Sequence, residues 1–399
     1  MELKTQTIDL ASHRAQFPAL ADRYYFNYGG QGPLANSTLN KISENFGKIE
    51  SLGVFSRAAN AWDVAESNLT RATIADQLKA QASNITLTES TTAGCNIALW
   101  SVDWQPGDHL LISDCEHPGI IGIADQLKQR FGIEVSFFSL QAYLDQGTDA
   151  ILATIEQNLR SHTRMIAISH ICWNTGHVMP LKQISQLCHA HDVLVMVDAA
   201  QSVGVLPLDL PDCEADFYAF TGHKWWCGPL GVGGLYVRDQ AFDQALPTYI
   251  GWRGIKDCQL PEPGTQPEIT WQQDGQKFEI ASTSYPLYGA LREAIAYANT
   301  WGSQAQRYDR ICKLSKWLWQ ELGKLPKINL VRQTPPDSGL IAFTIKEKIP
   351  SQLMTELEEK ENILLRSLNN PDCLRVSIHY LTTQSELEQL LAICSELAS

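Results

Sequence analysis

Between residues 85 and 237 the sequence switches repeatedly between short apolar runs and longer amphipathic stretches, and this switching constrains the fold more than any other feature. The apolar runs lie at 85–87, 109–112, 133–138, 165–169, 193–197, 217–220 and 234–237. Helical periodicity fills 92–104, 119–130, 149–160 and 180–191 between several of them. Strands without a polar face need cover on both sides. The alternation therefore predicts an α/β fold with a mainly parallel central sheet sandwiched between helices.

On either side of this block the pattern changes. Tyr24-Tyr25-Phe26-Asn27 runs into Gly29-Gly30-Gln31-Gly32-Pro33, a turn in which backbone can approach a ligand closely. Helical periodicity follows at 35–51 and 61–80. Residues 251–278 are rich in Gly, Pro and Gln and lack a period, so they read as a loop or domain connection. Beyond them come helices at 285–301 and 306–322, strands at 328–331, 340–345, 363–366 and 374–378, and a last helix at 385–397. The expected division is a large α/β domain at 24–275 and a small α+β domain at 276–399, with the segment 1–23 packing on the small one.

The totals exclude several classes of function. With 399 residues, 44% hydrophobic and 19% charged, the chain can bury a large core and is not disordered. A formal net charge of -13 argues against nucleic acid and anionic membrane surfaces as partners. The ten cysteines form no CxxC pair and no zinc-type spacing, which predicts free buried thiols and no metal site. No apolar signal region opens the chain and no run approaches membrane-spanning length, so a soluble, cytoplasmic protein is expected.

In an open α/β sheet, ligands gather beyond the carboxyl ends of the strands, so polar residues just after apolar runs are the candidates. The run at 193–197 ends in Asp198, followed by Gln201. A buried carboxylate there needs a cation such as a pyridinium nitrogen, or it caps the next turn. Thr91 and Thr92, after Glu89-Ser90, either open a phosphate-binding helix or simply cap it. His117 and Asn174 follow two further strands. Each alone is more often a satisfied turn residue.

Thr221-Gly222-His223-Lys224-Trp225-Trp226 is more demanding, because a lysine among aromatic residues seldom stays buried without a partner. A desolvated amine can form a Schiff base with an aldehyde cofactor.

Asp198-Ala199-Ala200-Gln201 with Thr-Gly-His-Lys some twenty residues later resembles the class V aminotransferase family of fold type I pyridoxal-phosphate enzymes. That family includes cysteine desulfurases, selenocysteine lyases and carbon-sulfur lyases, and the resemblance spans nearly the whole chain, most of all to lyases acting on cystine or cysteine. It implies pyridoxal 5'-phosphate as cofactor, with Lys224 as the Schiff-base lysine, Asp198 at the pyridinium nitrogen, Gln201 and Asn174 near the phenolic oxygen and His117 stacked on the ring. Thr91, Thr92, Thr221 and His223 would hold the phosphate. Phe278-Glu279-Ile280-Ala281-Ser282-Thr283 is similar to a family stretch whose threonine reaches the partner subunit's phosphate, implying a homodimer.

Arg375 in Leu374-Arg375-Val376-Ser377 resembles the family arginine that grips a substrate carboxylate, a task that suits a planar guanidinium; without the family pattern it reads equally well as a strand arginine in a surface ion pair. Asn27, Trp252 and Arg253 are further substrate-side candidates; the last two read equally well as a surface loop with one packed tryptophan.

One departure bears on the reaction. Desulfurases carry a reactive cysteine on a mobile loop before the arginine, whereas here Arg366-Ser367-Leu368-Asn369-Asn370-Pro371-Asp372-Cys373 is short and Cys373 lies two residues from Arg375. The expectation is β-elimination from cystine or cysteine, giving pyruvate, ammonia and a persulfide or sulfide, with a sulfur-acceptor protein as a further partner. A cysteine desulfurase or selenocysteine lyase of the same family, and a non-catalytic pyridoxal-phosphate-binding protein, are the competing readings.

Overall fold

The computed structural model describes residues 9–259 and 261–398. Its centre is a seven-stranded sheet. From one edge the strands are Ile85–Thr88, Gly233–Val237, Phe217–Thr221, Leu194–Asp198, Thr163–Ser169, His109–Ser113 and Glu134–Phe138. All run parallel except Gly233–Val237, which is antiparallel to both neighbours.

The two-residue period of a strand explains why these segments look uniformly apolar. Ile166, Ile168, Val195, Val197, Tyr218 and Phe220 enter one core. Met165, Ala167, Met196, Phe217 and Ala219 enter the other. Helices Thr91–Trp100 and Pro118–Phe131 cover the second face through Leu99, Ile120 and Leu127. Thr148–Asn158, Leu181–His189 and Arg57–Leu78 cover the first through Ile155, Ile184 and Ile74. The class predicted from alternation is the class observed.

A second sheet of four antiparallel strands runs Ile328–Leu330, Leu340–Ile345, Asp372–Ser377, Arg366–Asn369. Helices Gln304–Leu322, Pro350–Glu361 and Gln384–Leu397 pack on it through Leu318, Leu357 and Leu390. Helix Tyr285–Trp301 lies against Asn36–Leu52 and Arg57–Leu78. Near the start of the chain, helix Leu10–Arg14 reaches this second region: Arg14 Nη1 donates to Leu381 O at 2.8 Å, and the His13 ring stacks on Tyr297 at 4.3 Å. Residues 1–8 of the predicted N-terminal segment lie outside the described residues.

Two local expectations need correction. The stretch 251–278 holds an antiparallel pair, Ile255–Gln259 with Glu268–Trp271. Its strands are exposed and need no apolar alternation, so backbone pairing left no mark in the sequence. The strand predicted at 363–366 is two pieces: Ile363–Leu364 pairs in parallel with Tyr24–Tyr25, and Arg366–Asn369 forms a tight hairpin with Asp372–Ser377. Among the described residues, no helix is long and apolar enough to cross a membrane.

Candidate active site

The carboxyl ends of the parallel strands open into a cavity of about 160 Å³. Eight residues singled out from sequence line it: Thr91, Thr92, His117, Asp198, Gln201, Thr221, His223 and Lys224. They come from four chain segments, and the parallel strand order explains the convergence, since parallel strands present their carboxyl ends at the same edge.

Lys224 follows the turn after strand Phe217–Thr221. Burial holds its amine at about 8, well below an ordinary lysine; Asp198 works against that fall and Arg375 adds to it. About a tenth of the amine is therefore neutral at pH 7, far more than for an ordinary lysine. Asp198 ends its strand 9% exposed, and its Oδ1 accepts from Ala200 N at 2.9 Å. Capping and cavity-lining thus coexist in one carboxylate.

Ser90 is the actual N-cap of helix Thr91–Trp100, its Oγ accepting from Ala93 N at 3.2 Å. That arrangement leaves Thr91 Oγ1 buried without a hydrogen-bond partner at the helix start. A helix N-terminus with an unspent hydroxyl suits a phosphate. Across the cavity Thr221 Oγ1 lies 2.6 Å from His223 Nδ1, and burial, with Lys224 next, pushes His223 down to about 4, so it is neutral at pH 7. His117 caps the helix Pro118–Phe131, its Nδ1 accepting from Gly119 N at 3.1 Å. Its ring meets Trp173 edge-on at 5.4 Å.

Gln201 is a bracket: Nε2 donates to Gly29 O and Oε1 accepts from Trp225 Nε1, both at 2.9 Å. Gly29 is tightly surrounded, since a Cβ there would lie 2.9 Å from both Arg375 Nη2 and Ser377 Oγ. The glycine turn is close to protein groups on both flanks, because a Cβ on Gly32 would overlap Lys224 O. Arg375 is 3% exposed; its Nη1 donates to Trp173 O at 2.7 Å, and its Nε is buried without a partner. Burial, reinforced by Arg366, lowers it to about 10, and it remains cationic at neutral pH. Asn27 Oδ1 and Ser377 Oγ are likewise buried and unpartnered. Such a concentration of unspent polar atoms is costly in a protein interior unless a polar ligand satisfies them. The donor set fits a phosphate, a protonated ring nitrogen at Asp198 and a carboxylate at Arg375.

Other candidates lie elsewhere. Asn174 does not line the cavity; its Nδ2 donates to Asn370 O at 3.1 Å, and its neighbour Trp173 is the residue of this loop that faces the cavity. Trp252 is 62% exposed. Arg253 is held by Glu279 Oε2 at 3.1 Å and Tyr285 OH at 2.9 Å. Thr283 stands outside the cavity of its own chain, within 3.4 Å of Tyr288 OH. Sequence reasoning gave no role to Ser169 and Trp173, which line the cavity, or to Glu116 behind it. Ser169 ends an apolar run and carried the same signal as Asp198. Glu116 carried none, because burial of a turn carboxylate is invisible in sequence.

Comparison with known proteins agrees with this geometry. The model of the aminotransferase class-V family matches residues 25–390. The solved cystine C-S lyase C-DES, in complex with its reaction product cysteine persulfide, is 40% identical, with a TM-score of 0.90 over 96% of this chain and 99% of that one. A cysteine desulfurase of Escherichia coli O127:H6 is 30% identical over 73% of this chain and 70% of its own length. A probable cysteine desulfurase of Mycolicibacterium paratuberculosis is 26% identical over 91% of this chain, which spans only 53% of that longer protein. The chain belongs to the class-V aminotransferase family.

Proposed function

We propose that this protein is a pyridoxal-phosphate-dependent carbon-sulfur lyase that eliminates the sulfur substituent of cystine or cysteine, giving pyruvate, ammonia and a persulfide or sulfide. The observation that carries the choice of elimination over desulfuration is the hairpin before Arg375. Asn369 pairs directly with Asp372, so there is no loop to swing. Cys373 is fully buried, and burial pushes its thiol up to about 12. A buried, protonated thiol is a poor nucleophile.

When bound, pyridoxal phosphate supplies an aldehyde for the Lys224 amine and a ring that withdraws electrons from the substrate α-carbon. The protein's own groups do the rest. Thr91 and Thr92 at the helix start, with Thr221 and His223 across the cavity, would hold the phosphate. Asp198 would keep the ring nitrogen protonated, and His117 would stand against the ring. Arg375, with Ser377 and Asn27 beside Gly29, receives the substrate carboxylate and fixes which α-bond faces Lys224. The lowered proton affinity of Lys224 Nζ would let it take the α-proton near neutral pH and pass it to the departing sulfur. The sulfur product leaves by diffusion, so an acceptor protein would meet it in solution.

The same reading includes a homodimer with shared sites, in which Thr283 serves the partner's phosphate. Its support is the position of Thr283 outside its own cavity, beside a run in which Leu246, Tyr249, Ile250 and Trp252 are exposed. The test is a visible spectrum of the purified protein with and without L-cystine, together with assay of pyruvate. A yellow protein that releases pyruvate from cystine supports the proposal; a yellow protein that releases alanine instead would establish a desulfurase.

A further inference from the structure

Glu116 is a buried carboxyl that the scheme above leaves without a task. It is 5% exposed and lies between strand His109–Ser113 and helix Pro118–Phe131, one residue before His117. Its Oε1 accepts from Ser113 Oγ at 2.6 Å and from Ser169 N at 2.9 Å. Its Oε2 accepts from Ser169 Oγ at 2.6 Å. One carboxylate thus ties together the ends of two adjacent strands. Ser169 lines the cavity and pairs in register with Asp198 on the next strand.

We propose that Glu116 and Ser169 form a hydrogen-bond switch behind Asp198. With Glu116 ionised, the Ser169 hydroxyl is committed to it as donor. When Glu116 Oε2 takes a proton from solvent, that O–H donates to Ser169 Oγ, and the serine hydroxyl rotates to donate into the cavity. One proton is bound and no covalent bond within the serine is broken. Glu116 is a positioning residue, acting on the ring-facing side of the site through Ser169. The inference rests on the reading that Asp198 faces the cofactor ring.

The surroundings favour titration in a useful range. Burial raises the Glu116 carboxyl to about 7 against the pull of its three hydrogen bonds, and the charge of Asp198 adds to the rise. Cys95 from helix Thr91–Trp100 and Cys115 from the same turn also face this carboxylate, and both thiols are held neutral by their raised proton affinity. Beyond Asp198 stand Lys224 and His117. Lys224 also titrates near this range, so substitution rather than pH alone must separate the two.

The test is a pH titration, from about pH 5 to pH 9, of the visible spectrum and of kcat/KM for the holoenzyme, its E116Q form and its S169A form. Infrared difference spectra, wild type minus E116Q, read the protonated-carboxyl band directly, with or without cofactor. The wild type is expected to show a carboxyl band and a spectral change with a common midpoint near 7. In E116Q and S169A the spectral midpoint should move by more than about one pH unit or vanish while the proteins stay yellow. An E116Q enzyme that keeps the wild-type midpoint, or loses activity equally at every pH, overturns the switch and leaves the lyase reading intact. Absence of the carboxyl band's titration overturns it even if the cofactor reading is itself wrong.

Discussion

The cavity floor and the segment 251–283 were both expected to supply site residues, yet they differ in how the fold treats them. Every floor candidate from the sheet's strand ends and helix start faces one cavity, Asn174 excepted. From 251–283, Trp252 is exposed, Arg253 is tied to Glu279 and Tyr285, and Thr283 stands apart. The difference teaches that parallel topology alone aims strand-end residues, whereas a surface segment acquires its target from whatever packs on it.

The strongest way to break the comparison is at the floor. Lys224→Ala should lower pyruvate formation by about 10³-fold or more, since no other amine lines the cavity among the described residues. Full turnover by that variant would sink the scheme. Next in size is acid. His170 hydrogen-bonds Tyr218 OH through Nδ1 at 2.8 Å and is held neutral by burial, down to about 4. Its folded proton affinity lies below the unfolded one, so its contribution is complete above pH 6.5 and is lost as pH falls toward 4. Urea unfolding at pH 7 and pH 4 should therefore show the wild type losing on the order of 3 kcal/mol more than a His170→Gln variant.

Arg375→Lys keeps the charge but not the fork, and should cost about 10²-fold in kcat/KM, mostly through KM. The distal segment is sharpened by Thr283→Ala, with an expected loss of roughly tenfold in cofactor affinity. In heterodimers with Lys224→Ala, one of the two sites should recover normal affinity if the threonine serves its partner. Recovery in neither would return Thr283 to a structural part. Cys373→Ser comes last: kcat should stay within about twofold. A collapse in sulfur release there would mean that the buried thiol does reach the substrate.

Much of the fold was legible because a buried parallel strand leaves an unmistakable apolar run, and several runs ended just before a residue that lines the cavity. Asp198, His117 and Lys224 were readable for that reason. Asn174 was less so: neighbouring loop residues point in opposite directions, and sequence cannot tell that Trp173 faces the cavity while Asn174 turns to Asn370. The pair Ile255–Gln259 and Glu268–Trp271 was hidden because an exposed ladder spends backbone bonds without apolar side chains. Glu116 was hidden because its role depends on three partners, two of them in Ser169, 53 positions away.

The contact of Gly32 with the lysine segment has a consequence in time. Gly32 N donates to His223 O at 2.7 Å, and Gln201 clasps Gly29 O, across nearly two hundred residues of intervening chain. Contacts of such separation close late, after the loop entropy they demand has been met by the sheet itself. The central sheet is therefore expected to mature before its reactive lysine is enclosed, which happens when the glycine turn at 29–33 docks.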